Sequence, residues 1–306
     1  MKQPTNDLLV LNSVTEYTRF CGQPAPKHPL LTVIDLELTR SRPRPLTAAP
    51  IVQSFYTIWL KKNLKGTIHY GRRSYDFSEG VLGFMAPGQV FTIDTTLDIS
   101  EISGWMLLVH PDLLAKYPLG KKMASYGFFA YETHEALHLS AEEESVLDSV
   151  LAIIKGEYER PLDAFSHDVL IAQLEVLLNY ANRFYHRQFL TRQPAEHDLL
   201  SRFEEELTKY FAESEGQPLP TVQYFADTLN VSAAYLSDML RSLTGQNTQQ
   251  HIHQRLIEKA KRLLLTTSLS INETAFQLGF EYPQYFTRLF KSKTGLTPAA
   301  FRVSAN

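Results

Sequence analysis

The apolar and polar positions along the chain change period once, near Ser140, and each half predicts its own kind of element. From Leu31 to about His110, short runs rich in β-branched and aromatic residues alternate with polar breaks, the pattern of strands. The clearest runs are 55–60, 67–70, 81–85 and 105–109. Lys65-Gly66, Glu79-Gly80 and Pro87-Gly88 predict turns between them. Many short strands at regular spacing predict a barrel or a double-sheet sandwich. Trp59, Tyr70, Tyr75 and Phe84 either line a small-molecule cavity within it or fill it as core.

Beyond that point the period is helical. Ser140-Ala141-Glu142-Glu143 is a capping box, and Val146, Val150, Ile153 and Ile154 form a stripe through about Tyr158. Pro161 breaks it. A second helix is predicted from about Asp163 to about Tyr185, striped by Val169, Leu170, Leu174, Leu177, Leu178 and Ala181. The pair either lies on its own strands or meets its copy in a second subunit. Residues 191–196, with Arg192, Gln193 and Pro194, read as a linker. A helix from Asp198 to about Phe211 follows, with Leu200, Phe203, Leu207 and Phe211 at helical spacing, and 214–220 reads as another linker.

The remainder contains one pattern written twice. Ala226, Leu229, Asn230 and Val231 lead to Tyr235, Leu236, Met239, Leu240, Arg241, Thr244 and Gly245. Ala275, Leu278, Gly279 and Phe280 lead to Tyr285, Phe286, Leu289, Phe290, Lys291, Thr294 and Gly295, with one residue inserted in the turn. This is a helix-turn-helix written twice. A small residue, Ala226 or Ala275, lets the helices approach, and Asn230 and Gly279 tolerate the positive φ of the turn. Val231 and Phe280 are wedges, Ser232 an N-cap and Pro283 a first-turn residue. Leu236/Leu240 and Phe286/Phe290 anchor each second helix, leaving its opposite face free to read DNA. A solenoid needs three or more stacked units, and only two copies are present. Between them, 249–265 reads as one helix with Ile252, Leu256, Ala260, Leu263 and Leu264 inward and Arg255, Lys259, Lys261 and Arg262 outward. That connector spans about 25 Å, and with the width of the flanking units it can hold the two reading helices about one DNA turn apart, ~34 Å.

Charge supports this reading once it is divided by region. Residues 1–198 carry 19 basic and 23 acidic side chains, whereas 216–306 carry nine and five. Positive charge gathers where a polyanion binds. One cysteine, Cys21, precludes an intramolecular disulfide and fits a cytoplasmic protein. No apolar run is long enough to span a membrane, and the first residues lack a signal-like apolar core, so a cytoplasmic location is expected.

At 260–265, at 271–280, at 285–291 and through Thr294-Gly295-Leu296-Thr297-Pro298 to Phe301-Arg302, the chain resembles the AraC/XylS family of bacterial transcriptional regulators. The resemblance covers Thr221 to Arg302, about a third of the chain. It implies an α+β multidomain protein. Residues 1–139 are then a cupin-like effector-binding β-barrel, 140–190 a helical dimerisation segment, 191–198 a linker and 199–306 an all-α DNA-binding domain with two helix-turn-helix units. Implied partners are double-stranded operator DNA, a second copy of the chain, a small-molecule effector and, for an activator, RNA polymerase; neither cofactor nor metal is implied. Carried over by position, the first reading helix presents Ala234, Ser237, Asp238 and Arg241, and the second Gln284, Thr287, Arg288 and Lys291. Gln284 suits an adenine edge and Arg288 a guanine. Ser232, Tyr235, Thr287 and Lys291 suit phosphates. Asp238 departs from the family, where basic residues are frequent, so the second unit is expected to supply more of the specificity.

Two rival readings exist. A helical interaction protein that does not bind DNA is one. The other is a zinc hydrolase, because His134-Glu135-Ala136-Leu137-His138 matches H-E-x-x-H by letter. That motif needs a continuous helix, and the capping box at Ser140 starts a new one just after His138. His69 lacks an H-x-H partner for a metal-dependent cupin, and His110 reads as structural. No catalytic site is expected.

Overall fold

The structure is a computed structural model that describes residues 8–40, 49–70, 73–77, 80–92, 100–132, 135–191, 193–213 and 217–304; at 64–70, 73–77, 193–197 and 213 only the backbone is described. The chain divides into two compact units, 1–188 and 189–306.

In the first unit, five strands make one antiparallel sheet. Their order is β10 (Leu137–His138), β7 (Val81–Met85), β4 (Tyr56–Lys62), β9 (Ser103–Val109) and β2 (Leu31–Asp35). A smaller sheet joins β1 (Leu9–Leu11), β3 (Ile51–Gln53) and β8 (Val90–Phe91), with β1 and β3 parallel. β5 (Leu64–Tyr70) and β6 (Arg73–Phe77) form a hairpin of their own. One face of the large sheet packs, through Ile34 and Leu108, on Leu11, Val14, Ile51 and Phe55 from the small sheet and its surroundings. That arrangement is a two-layer sandwich. Among the described residues the strands close no barrel, because β1, β3 and β8 pair with one another rather than with an edge of the large sheet.

Helix α1 (Val14–Phe20) covers one end of the small sheet, capped by Ser13, whose hydroxyl accepts from the Glu16 N–H. The short helices α2 (Pro111–Leu114) and α3 (Pro118–Lys122) follow β9, and His110 is the N-cap of α2. Its role is therefore structural, as expected.

The turn expected at Lys65-Gly66 lies earlier, at Asn63, whose φ of 54° is left-handed. Asparagine tolerates that conformation, and the strand then runs through Gly66, where the register shifts between Leu64 and Ile68. The Glu79-Gly80 turn falls partly outside the described residues. Trp59 and Phe84 do not share a cavity. Phe84 pairs across the sheet with Ile58, one residue from Trp59, so the two rings leave opposite faces. Phe84 instead packs against Phe128 and Phe129. The side chains of His69, Tyr70 and Tyr75 lie outside the described residues.

The capping box at Ser140 and Glu143 opens α4 (Ala141–Glu159). Its buried stripe is Leu147, Val150, Leu151 and Ile154, whereas Ile153, expected inward, is 51% exposed. The shift places the stripe toward the sheet, where Lys62 Nζ lies 2.8 Å from Glu144 and 3.0 Å from Asp148. The Trp105 indole donates to Asp148 at 2.9 Å. α5 (Ser166–Thr191) buries Leu170, Leu174, Leu177, Leu178 and Ala181 but leaves Val169 exposed.

The described residues of the linker expected at 191–198 are helical instead, Thr191 as the end of α5 and 193–198 as the start of α6 (Gln193–Glu213). Pro194 did not signal a break because a first-turn proline forfeits no helical hydrogen bond.

The second unit continues with α7 (Val222–Leu229), α8 (Ala233–Thr244), α9 (Thr248–Thr266), α10 (Ile271–Gln277), α11 (Pro283–Thr294) and α12 (Pro298–Ser304). The two copies of the repeat are α7–α8 and α10–α11. Both turns close in the same way: the wedge residue's N–H donates to the alanine carbonyl five residues back, Val231 to Ala226 and Phe280 to Ala275, each at 3.0 Å. That bond requires a left-handed residue just before the wedge, and Asn230 (φ 58°) and Gly279 (φ 91°) supply it. Ala226, Ala275, Leu236, Leu240, Phe286 and Phe290 are fully buried. The segment expected as a plain linker before α7 packs instead: Leu219 joins the second core, and the Gln217 carbonyl oxygen lies where a Cβ on Gly279 would fall, 2.2 Å away.

The two turns should therefore respond differently to alanine. Asn230→Ala meets only the left-handed penalty, about 1–2 kcal/mol. Gly279→Ala adds a backbone collision and should cost at least about 2 kcal/mol more than that. Chemical denaturation of both variants checks the order; equal losses would show that the 217–219 segment yields freely.

Candidate nucleic-acid interface

The faces of α8 and α11 opposite their buried anchors are the surfaces the repeat leaves over. On α11, Phe286 and Phe290 point into the core at i, i+4. Gln284, Arg288 and Lys291 are exposed and Thr287 is half-buried beside them. All four line one open recess of about 590 Å³ together with Pro283 and Asn272. The structure thus brings the four expected residues of the second unit to one place and adds a fifth polar group. Asn272 sits in the first turn of α10, the helix before the reading helix. Its signal in the sequence was its position just after the Ser270 cap, at the helix end that faces outward.

The cations of α11 are uncompensated. Arg288, Lys291 and Lys293 have no carboxylate within ion-pair distance among the described residues. The Arg288 guanidinium lies 5.9 Å from the centre of the Tyr285 ring, whose aromatic face steadies it without neutralising it. Pro283 in the first turn sets the entry of the helix in place of a side-chain cap, which Tyr282 does not provide.

α8 is built differently. Arg241 is bound 2.9 Å from Asp238 on the same helix, so its positive charge is offset there. The Ser237 hydroxyl is 3.0 Å from that of Thr248, a buried residue at the start of α9, which ties the reading helix to the connector. Ser232 accepts from the Tyr235 N–H at 3.1 Å, closing the helix start as the sequence predicts. Ala234 is half-buried. Tyr235, expected to face a phosphate, is buried with its ring edge-on to Phe189 at 5.2 Å. Its position at i−1 of Leu236 turns it toward the core, and it is better described as packing.

α9 joins the copies as one helix with a capping box at Asn247 and Gln250. Ile252, Leu256, Ile257, Ala260 and Leu264 are buried, and Leu263 packs partly against the second core. Of the outward cations, Lys259 donates to the Phe211 carbonyl at 2.8 Å, and Arg255 reaches Thr208 at 2.8 Å and Glu258 at 3.3 Å. These two hold α9 against α6. Burial lowers the His251 and His253 pKa values, and Lys293 adds to the effect at His253. Both shifts disfavour the charged imidazolium.

Among the described residues the H-E-x-x-H letters do not share one α-helix, because the motif ends in a strand. His134 lies outside the described residues, Glu135 is buried with a carboxylate oxygen accepting from the Glu132 N–H, and His138 belongs to β10. Among the described residues no group of three or more His, Cys, Asp or Glu side chains is placed to hold a metal ion. None of the described helices is long and apolar enough to cross a membrane.

Residues 225–304 match a protein family described as "Helix-turn-helix domain". The uncharacterized HTH-type transcriptional regulator YfiF of Bacillus subtilis is 30% identical over 141 residues, which are 46% of this chain and 42% of that protein. The HTH-type transcriptional activator RhaR of Cronobacter sakazakii is 35% identical over 81 residues, 26% of this chain and 29% of its own. The chain thus spans less than half the length of the curated relatives it matches. Among solved structures, the C-terminal domain of the two-component response regulator yesN from Fusobacterium nucleatum is 36% identical, with 32% of this chain and 96% of that one covered at a TM-score of 0.30. The DNA-binding domain of AdpA in complex with a target DNA is 28% identical, with 33% and 89% covered at 0.30. Over the matched residues, which hold both turns and both reading helices, the chain carries a helix-turn-helix domain similar to the AraC/XylS type.

Proposed function

We propose that the chain is a sequence-specific DNA-binding transcriptional regulator of the cytoplasm. Residues 199–306 bind duplex operator DNA, and the strand-rich unit, read as a cupin-like sensor, responds to a small-molecule effector. The observation that carries the reading is the shared face of α11, where Gln284, Thr287, Arg288 and Lys291 line one recess and, among the described residues, no carboxylate pairs with the cations. In this reading Arg288 bonds a guanine edge and Gln284 an adenine. Thr287 and Lys291 hold phosphates, with Asn272 beside them, and Ser232 does the same at the start of α8. Ala234, Ser237, Asp238 and Arg241 face the groove in the first unit, Asp238 accepting from a cytosine amine. The nineteen residues of α9 rise about 28 Å, a span suited to neighbouring major grooves about 34 Å apart. Contact with RNA polymerase follows if the protein activates.

The same reading makes residues 140–190 a dimerisation segment. Phe165, Val169 and Val176, spaced by four and seven residues along α5 and the turn before it, are exposed, as is Ile153 on α4. A second copy of the same stripe covers such a face as a two-fold pair. Val169→Glu combined with Val176→Glu should convert the dimer to monomer in sedimentation experiments with the far-ultraviolet spectrum unchanged; an unaltered mass would place the interface elsewhere.

The DNA reading is tested on an operator selected from a random duplex library. Footprinting should reveal protection long enough for two adjacent grooves, and Arg288→Ala should reduce discrimination between that operator and random DNA by about tenfold or more. Equal weakening on both DNAs would assign Arg288 to phosphates. Asp238→Asn removes a negative charge from the groove face and frees Arg241. It should tighten binding to both DNAs several-fold at low salt, with the gain fading as salt rises. Unchanged low-salt affinity would mean that α8 stays out of the groove.

A further inference from the structure

On the face of the large sheet that carries Trp59, one lysine has no counter-ion among the described residues. Lys61 follows Trp59 by two residues on β4, so both side chains leave the same face. Its Nζ sits 4.4 Å from the centre of the indole ring. The cross-strand neighbours are Gly83 and Met106 beside Trp59, and Val81 and Gly104 beside Lys61, none of them acidic. Across from Val81, His138 is the next ionisable side chain in that row. No carboxylate among the described residues is within ion-pair distance of Lys61. Lys62 is the internal contrast: it leaves the opposite face and lies between Glu144 and Asp148.

The pair is built into the sheet. A Cβ on Gly83 would fall 2.0 Å from the Trp59 indole, so glycine is what lets the ring lie against the strand. Gly104, with φ of 104°, brings β9 so close that a Cβ would meet the Leu60 carbonyl oxygen at 2.1 Å. Trp59 is buried in a cluster with Leu36, Val81, Ile102 and Ala136, with Met106 packed against it. Lys61 itself is half-buried there, and burial pushes its amine down to about 8, so most of it still carries charge at neutral pH. A desolvated cation with only an aromatic face for company favours any anion that reaches it.

We propose that Lys61 anchors a binding site for a small organic carboxylate, whose apolar part packs on the Trp59 indole. One cation with no second donor among its cross-strand neighbours matches a single carboxylate better than a phosphate dianion. The site rests on the reading of this unit as the effector sensor, and it gives that effector a chemical class.

The test uses the full-length chain with hexanoate and its neutral counterpart hexanamide. The chain has two tryptophans, so Trp105→Phe leaves Trp59 as the reporter, and calorimetry on the unmodified chain provides a second measurement. Hexanoate should change Trp59 emission saturably and bind about tenfold or more tightly than hexanamide. Lys61→Met should abolish that preference, and Lys61→Arg should keep it. Equal binding of the acid and the amide, a preference that survives Lys61→Met, or no saturable hexanoate binding up to about 50 mM would each overturn the site. Operator affinity, measured alongside, separates the two readings. Hexanoate binding with operator affinity unmoved supports the anion site and overturns its effector role. An absent site with intact operator binding overturns the anion site and leaves the DNA reading standing.

Discussion

The bond from the wedge residue's N–H to the alanine carbonyl five residues back governs the DNA-binding unit. It forms where the chain passes through one left-handed residue, and the alanine that accepts it, Ala226 or Ala275, is fully buried between the helices. With that turn set, Leu236 and Leu240 or Phe286 and Phe290 fix the rotation of each reading helix about its axis. Which side chains remain outside is then a matter of helical geometry. Gln284, Thr287, Arg288 and Lys291 share a face because Phe286 and Phe290 occupy the other. The second turn carries an added constraint, since the Gln217 carbonyl occupies the space that a Cβ on Gly279 would need.

The two copies share this frame and diverge in charge. α11 presents uncompensated cations, while α8 spends Arg241 on Asp238 and Ser237 on Thr248. An exposed i, i+3 ion pair contributes a few tenths of a kcal/mol at most, so it does little for the helix itself. Its larger effect is on the approach of a polyanion, which one copy attracts and the other meets nearly neutral. The inserted residue between Phe280 and Pro283 adds to the difference, giving α11 a proline start where α8 has a serine cap. A tandem built this way divides its labour: one helix is positioned through α9, and the other carries the attraction.

Sequence made the second unit largely legible because its determinants are local. A capping residue, a left-handed turn and an i, i+4 apolar pair each act within one or two helical turns, and all lie within a few letters of one another. Asn272 was missed because it belongs to the neighbouring helix and joins the face only through packing. Tyr235 was assigned to a phosphate because a tyrosine beside a polar face looks exposed until Phe189 is brought beside it. In the first unit the strand segments near 55–60, 81–85 and 105–109 were visible, but not their partners. Pairing is non-local, and nothing in the letters of β1, β3 and β8 says that they bond to one another instead of closing the large sheet. The proline at 194 misled for the opposite reason, since the same residue that ends a helix also begins one well.

Lys61 and Lys62 reduce this to a single letter repeated. Adjacent in sequence and identical in chemistry, they leave opposite faces of β4 because the pleat has a period of two. The pleat alone puts Lys61 on the side of the indole, and the pairing of β4 with β9, Leu60 opposite Trp105 and Lys61 opposite Gly104, decides which lysine meets the carboxylates of α4. A slip of one residue would turn Trp59 and Lys61 together toward α4 and carry Lys62 away from Glu144 and Asp148, together with Ile58 and Leu60. Register is therefore chemistry here. The apolar rows on both faces, Ile58 and Leu60 on one and Trp59 on the other, are what hold it. The same burial that stabilises the sheet leaves the Lys61 amine, among the described residues, with an indole and no carboxylate.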